Sequence, residues 1–182
     1  KNHDGKNSML VLRPADVNET TVAWQLALEN TATPTGLILT RQNISTIMDY
    51  EQAKGAKKGA YVLKSEENPD VVLLANGSEV SALMEVSVLL KEKGIKASVV
   101  SAPSEGLFFS QSNEYRQSVI PNGIPVFGLT AGLSTTLSEL VGPNGVVYGL
   151  DHFGYSAPFK VLDEKFGFTP ENIFNQVVEF LK

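Results

Sequence analysis

Residues 71–79 read VVLLANGSE, an apolar run that ends in a polar turn containing a glycine. A continuous apolar run of this length is typical of a strand that is buried on both faces of a parallel sheet. Apolar positions recur along residues 79–93, which predicts that a helix follows the turn. The stretch therefore predicts one strand–turn–helix unit of an α/β fold.

The same alternation continues on both sides of this stretch. Further strands are predicted at residues 61–63, 97–101, 125–129 and 146–150, and helices at residues 113–119 and 133–141. A closing helix is predicted from Pro170, because Thr169 is a good N-cap and proline suits the first helical position. This pattern predicts a doubly wound α/β domain with a mostly parallel sheet and helices on both faces.

A smaller β-α-β unit precedes that domain. Apolar runs at residues 9–12 and 37–39 flank a predicted helix at 18–29, which the capping pair Asp16 and Glu19 opens. Residues 45–60 are rich in lysine and glycine, which is typical of a linker, with a short helix from Tyr50 as an alternative. We therefore predict one unit in residues 1–50 and a domain in residues 51–182. Without further sheet partners, the two strands of the first unit are expected to pair between copies or to be disordered.

Composition excludes several classes of protein. The 182 residues carry 15 basic and 20 acidic side chains, a formal charge of −5, and 42% of them are apolar. This composition argues against a disordered chain and against nucleic acid as the main partner. The apolar runs are too short to span a membrane, so no membrane partner is predicted. The absence of cysteine excludes disulfides and thiolate zinc sites and favours a cytoplasmic protein. Because the chain begins with Lys1, we expect it to be a piece of a longer protein.

Candidate binding residues lie where strands are predicted to end, since ligands of open parallel sheets collect there. Gly77 and Ser78 open a helix, which makes them a candidate anion site, with an ordinary capped turn as the alternative. Arg41 follows residues 37–39, where a guanidinium could hold a phosphate or carboxylate, although position alone favours a structural ion pair. Arg13 is expected to pair with the nearby Asp16.

No catalytic set is predicted. Ser104 and Ser156 lack a histidine and an acid at the spacing of a serine hydrolase. His152 is interpreted as a turn residue, and it lies far from the other histidine, His3, so no metal site is predicted.

Several stretches together resemble one family, transketolase. They are LRPAD at 12–16 with Glu19 and VAW at 22–24, LTRQN at 39–43, GAYVL at 59–63, NGSEV at 76–80, SAPS at 101–104, FG with AP at 153–158, and FGFT at 166–169. Their order and spacing are similar to those of the family from residue 9 to the end.

The resemblance implies a fragment of an enzyme of the pentose phosphate pathway that transfers two-carbon ketol units between sugar phosphates. The full-length enzyme is implied to be a homodimer that uses thiamine diphosphate and Mg²⁺. This chain would supply the tail of the middle, pyrimidine-binding domain and the whole C-terminal domain, with Arg41 matching the arginine that contacts the substrate phosphate.

The resemblance also implies that essential parts lie elsewhere. The G-D-G motif of the metal and diphosphate site has no counterpart, since His3-Asp4-Gly5 does not match it, and the activating glutamate and the histidine cluster are missing too. We therefore expect the isolated chain to be inactive and to bind no cofactor. The alternatives are a regulatory or assembly module, or one subunit of a split thiamine diphosphate enzyme.

Overall fold

The computed structural model describes residue 5 and residues 7–182, so His3 and Asp4 lie outside the described residues. The strands are β1 (Leu10–Leu12), β2 (Thr35–Leu37), β3 (Tyr61–Lys64), β4 (Val71–Ala75), β5 (Ala97–Ser101), β6 (Val126–Leu129) and β7 (Val146–Tyr148). The helices are α1 (Val17–Glu29), α2 (Tyr50–Ala53), α3 (Glu79–Glu92), α4 (Glu105–Phe109), α5 (Asn113–Val119), α6 (Ser138–Val141), α7 (Phe159–Phe166) and α8 (Pro170–Phe180). Short 3₁₀ helices span Lys54–Lys58 and Ser134–Thr136.

The larger sheet has five strands in the order β3-β5-β4-β6-β7. Strands β4 to β7 run parallel, whereas β3 lies antiparallel to β5 at one edge. Because β4 lies at the centre, both of its faces must be covered, which explains why the run VVLLA contains no polar residue. The predicted doubly wound, mostly parallel α/β fold is confirmed.

Two cores lie on opposite faces of this sheet. Leu73 of β4 packs with Leu83 of α3 and Ile173 of α8, and all three are fully buried. On the other face, Leu74 packs with Phe108 and Leu140. Each fully buried side chain of this size contributes about 1.5–3 kcal/mol through removal of apolar surface from water.

The β-α-β unit forms a separate two-stranded sheet. Strands β1 and β2 are parallel and pair Leu10 with Thr35, and the pairing extends to a bond from the Ile38 amide to the Leu12 carbonyl. The second strand therefore begins two residues earlier than predicted. The two strands pair with each other within one chain, while pairing between copies stays a prediction.

The segment predicted as a linker is packed against the rest of the chain. Helix α2 has a complete capping box, in which Asp49 and Gln52 bond each other's backbone amides, and the 3₁₀ helix follows directly. Ala53 and Ala56 are fully buried and Met48 nearly so. The alternative of a short helix from Tyr50 is the one that the structure contains, and the division into residues 1–50 and 51–182 stays a prediction.

Two other predictions differ from the structure in detail. The single helix predicted at 133–141 is divided into a 3₁₀ turn and α6, because the carboxylate of Asp151 binds both the amide and the hydroxyl of Ser134 and holds that end as a turn. Helices α4 and α7 were not predicted. Among the described residues, no helix combines the length and the apolar character needed to cross a membrane.

Candidate functional site

Arg41 lies in the loop beyond β2, on the surface of the β-α-β unit. Its side chain is exposed, and within the described residues its guanidinium forms no salt bridge or hydrogen bond. Position alone favoured a structural ion pair for this arginine, and the described contacts contain none. The guanidinium is therefore available to a ligand from solvent.

Arg13 occupies the equivalent end of the neighbouring strand β1 and has a different environment. Its Nη2 lies 2.6 Å from Oε2 of Glu79, and its Nη1 donates to Asn76 at 3.0 Å and to Thr130 at 2.8 Å. The predicted pair with Asp16 is wrong. The carboxylate of Asp16 instead caps α1 by accepting the Glu19 amide, and it also accepts the amide of Ile47, so both of its oxygens bond backbone amides rather than the guanidinium.

The candidate anion site lies directly beside Arg13. The Gly77 amide donates to the Arg13 carbonyl, and the Ser78 hydroxyl donates to Oε1 of Glu79 at 2.8 Å. Gly77 has φ of +65°, and a Cβ there would lie 2.7 Å from Nε of Arg13, so glycine is required both by the backbone and by the arginine. The helix end thus already holds the carboxylate of Glu79, and the anion site stays a prediction.

A buried carboxylate that was not predicted as a site residue joins helix α1 to the larger sheet. Glu19 of α1 is fully buried, and its carboxylate accepts the Ala15 amide at 2.6 Å, the Tyr61 hydroxyl at 2.8 Å and the Ser101 hydroxyl at 2.8 Å. Burial raises the pKa of Glu19, although its three donors oppose that effect. The sequence signals for Glu19 are its spacing from Asp16, which indicates a cap, and its place in the stretch that resembles the family, and neither indicates a contact with distant strands.

A cavity of about 760 Å³ opens at the carboxyl edge of the larger sheet. The turns after β4, β5 and β6 form its floor, and the ends of β1 and β2 together with α7 form its walls. Gly77 and Ser78 line the cavity, as do Thr40 and Gln42, but Arg41 between them does not. Of the two predicted sites, Gly77 and Ser78 therefore lie at the cavity, whereas Arg41 lies on the outer surface.

The remaining polar turn forms no catalytic arrangement. His152 is exposed, and its Nδ1 lies 2.9 Å from the carbonyl of Phe153. Hydrogen bonds from Ser134 lower the pKa of Asp151. Among residues 5 and 7–182, no group of three or more acidic or histidine side chains could hold a metal ion.

Comparison with known proteins agrees with the geometry of the fold. The family model described as the transketolase-like TK C-terminal domain matches residues 59–169. The transketolase of Staphylococcus aureus strain MW2 is 46% identical over 176 residues, which cover 94% of this chain and 26% of that protein. The transketolase of Aquifex aeolicus is 43% identical with the same coverage. The chain thus spans about a quarter of the length of the curated relatives that it matches.

Solved structures give the same result. A transketolase of Pichia stipitis, described as a complex with sedoheptulose 7-phosphate, superposes with a TM-score of 0.88 at 35% identity, covering 98% of this chain and 26% of that one. A transketolase from Leishmania mexicana gives 0.87 at 35%, covering 96% and 25%. A split-gene transketolase, described as an inactive tetramer, gives 0.79 at 22% identity, covering 96% and 58%, which shows a shared fold alone.

Proposed function

The chain belongs to the transketolase family through its C-terminal domain, and on that premise we propose that it is the C-terminal portion of a glycolaldehyde-transferring enzyme. The reaction proposed for the longer protein is transfer of a two-carbon ketol unit between sugar phosphates. The observation that carries this proposal is the family match over residues 59–169, extended by 46% identity over 176 residues. Because the chain spans a quarter of its relatives, the reaction is proposed for a protein that contains this segment.

Arg41 is proposed to bind the phosphate of the sugar substrate. The stretch LTRQN resembles the family motif that performs this role, and the exposed guanidinium has no protein anion within bonding distance among the described residues. A guanidinium binds phosphate through two parallel hydrogen bonds. Since the phosphate is remote from the reacting carbons, this contact orients the substrate rather than taking part in bond making.

The described residues contain no group of three or more acidic or histidine side chains that could hold Mg²⁺ by themselves, and Mg²⁺ prefers oxygen ligands. We therefore propose that the longer protein holds the cofactor with residues outside this segment, and that the isolated chain is inactive. An assay of the chain with thiamine diphosphate, Mg²⁺ and sugar phosphates should show no turnover, and measurable turnover would refute the proposal.

Substitution of Arg41 tests the phosphate contact in a protein that is active. In the longer enzyme, Arg41→Ala should raise KM for phosphorylated sugars by about tenfold to a hundredfold, because one charge-assisted contact contributes about 1.5–3 kcal/mol. Unphosphorylated sugars are the internal control and should show little change. Arg41→Lys keeps the charge without the planar guanidinium, so its KM for phosphorylated sugars should lie between those of the unmodified enzyme and Arg41→Ala. An equal effect on both classes of sugar would remove phosphate binding as the role of Arg41.

A second candidate is that the chain is one subunit of a split enzyme. Apolar side chains on the β-α-β unit favour an assembly role, since Trp24 is 52% exposed and Leu28 is 78% exposed. Mixing the chain with a separately produced polypeptide that carries the other domains should then restore turnover. Failure to restore turnover or to form a complex in size-exclusion chromatography would reject this candidate. The homodimer and the cytoplasmic location stay predictions for the longer protein.

A further inference from the structure

The cavity at the carboxyl edge of the larger sheet has the size and walls of a small-molecule site. Its volume of about 760 Å³ lies within the range of ligand pockets, roughly 300–1,000 Å³. Aromatic side chains from α7 and the turn after it, Phe159, Phe166 and Phe168, form part of its wall. The cavity therefore offers apolar surface to a ligand as well as polar groups.

The charges that line the cavity are predominantly negative. Its described lining contains three carboxylates, Glu79, Glu105 and Asp163, against one cation, Arg13. When all are ionised, three negative charges against one positive charge leave a surplus of two negative charges. Arg13 is committed to Glu79 at 2.6 Å, so the surplus falls on Glu105 and Asp163. An anion that entered the cavity would meet this surplus negative charge.

Asp163 and Glu105 both lack a described side-chain partner, and Asp163 is the one that lies on α7 beside the aromatic wall. Asp163 is partly buried, and within the described residues its side chain has no hydrogen bond or salt bridge. Burial and the nearby charge of Glu79 both raise the pKa of Asp163. A partly desolvated carboxylate without a partner is destabilising, and a cation placed beside it would remove that cost.

Two neutral polar residues that line the cavity have side-chain atoms with no partner among the described residues. Ser104 is 3% exposed and lines the cavity, and its hydroxyl forms no hydrogen bond in the described part of the chain. Asn76 uses its side-chain oxygen to accept from Arg13 and Thr130, while its amide nitrogen has no described partner. A hydroxyl that lines the cavity and has no described partner can bond a ligand group there.

We propose that this cavity binds a small organic cation, an ammonium group on a flat apolar body. The ammonium would lie beside Asp163, where it gains a charge-assisted hydrogen bond, and the apolar body would pack on the aromatic wall. The surplus negative charge selects against sugar phosphates and nucleotides at this place. The inference is independent of the proposed sugar-phosphate contact of Arg41, which does not line the cavity.

Three probes of similar shape separate charge from shape. Titration of the 182-residue chain with phenethylammonium, 2-phenylethanol and phenylacetate, followed by calorimetry at neutral pH and low salt, compares a cation, a neutral molecule and an anion. We expect the cation to bind at least about tenfold more tightly than the alcohol, and phenylacetate not to bind. Equal binding of the three probes, preferred binding of phenylacetate, or no binding of the cation would overturn the proposal.

A pair of variants on α7 locates the site. Asp163→Asn removes the charge while keeping the shape and should weaken phenethylammonium at least about tenfold. Glu164→Gln removes the same charge from the next residue of the helix, which does not line the cavity, and should leave binding unchanged. Equal weakening by both variants would show a general charge effect and would refute the site.

Chemical-shift mapping on the unmodified chain makes the test independent of how the variants fold. Phenethylammonium should shift the amide signals of Ser104, Asp163 and Phe168. Shifts confined to residues outside the cavity would refute the proposal. Inorganic phosphate serves as the opposite probe, because phosphate-induced shifts at Gly77 and Ser78 would support the anion site and contradict a cation site.

Discussion

Arg13 links the end of β1 to the carboxyl edge of the larger sheet through a single guanidinium, which contacts Glu79 at the start of α3 and two side chains in the turns after β4 and β6. Its partner Glu79 retains only 10% side-chain exposure and Arg13 20%, so neither charge is well solvated. Removing one member of a buried pair leaves the other uncompensated and costs about 3–5 kcal/mol, less where some exposure remains.

We therefore expect Arg13→Met to lower the free energy of unfolding by about 2–3 kcal/mol, as measured by urea denaturation. The double variant with Glu79→Gln should recover part of this loss, because the uncompensated charge is then absent. Lys54→Met is the control, since it breaks an exposed ion pair with Glu51 and should cost less than about 1 kcal/mol. Equal losses for Arg13→Met and Lys54→Met would contradict this account.

Glu19 makes stability depend on pH. Because burial raises its pKa above the ordinary value of 4.5, folded Glu19 keeps its proton at pH values where the unfolded chain has released it. Unfolding then releases a proton, so the free energy of unfolding falls as the pH rises from 4.5 through the raised pKa.

Glu19→Gln should remove this contribution and make the slope of unfolding free energy against pH less negative in that window. Denaturation of the unmodified chain and the variant across a pH series measures the difference between their unfolding free energies. Asp163 and Glu105 are present in both proteins, so their titration cancels in this difference. An unchanged slope would mean that Glu19 stays ionised in the folded protein, held by its three hydrogen-bond donors.

At the scale of elements, Gly59 fixes how the 3₁₀ helix enters β3. Its φ is +87°, and a Cβ there would lie 2.2 Å from the amide nitrogen of Phe108 and 2.3 Å from the carbonyl oxygen of Ser104. Both are backbone atoms that cannot turn aside, so α4 itself would have to move. This close approach explains why the segment before β3 lies directly against the turn after β5.

Gly59→Ala should therefore destabilise the chain by more than about 3 kcal/mol. Gly94→Ala is a matched control, because Gly94 has φ of +77° and no atom within 4 Å of a Cβ. That variant should cost only about 1 kcal/mol, the penalty of a left-handed backbone. Thermal unfolding compares the two, and similar losses would assign the effect to backbone strain alone.

The elements differ in how well sequence predicts them, for physical reasons. The boundaries of α8 follow from Thr169 and Pro170, which act within one turn of the helix, and β4 follows from its own apolar run. Helix α7 was missed although Phe159, Leu162 and Phe166 recur at helical spacing and Gly167 ends the helix in a left-handed conformation. Its eight residues are few for a helix, and short helices depend on tertiary packing for stability.

The same difference between local and distant contacts decides which parts of the candidate site could be predicted from the sequence. The positions of Arg41, Gly77 and Ser78 at strand ends could be predicted, because parallel strands end at one edge. The partner of Arg13 could not, since Asp16 is three residues away while Glu79 is 66 residues away. Only the completed sheet brings Glu79 beside the guanidinium and leaves Asp163 without a partner among the residues that the structure describes.

At the scale of the whole molecule, the packed segment between the two sheets leads us to expect that the chain unfolds as one unit. Buried Met48, Ala53 and Ala56 tie this segment to the core, and Glu19 bonds strands β3 and β5 across it. Trypsin under native conditions should therefore cut slowly at Lys57 and Lys58, although both are exposed, because cleavage requires local unfolding. Mass spectrometry of the first fragments checks this, and an early cut at either lysine would instead support a flexible boundary.

The fit of the Arg13 side chain over Gly77 has an evolutionary consequence. Any side chain at position 77 would collide with the guanidinium, and loss of the arginine would leave Glu79 as a desolvated anion. A side chain at position 77 is therefore disfavoured twice, by the left-handed backbone and by the guanidinium, whereas the residue at position 13 is tied to the charge at position 79. A chimaera that inherits Glu79 from one parent without an arginine at position 13 from the other should lose about 2–3 kcal/mol of unfolding free energy.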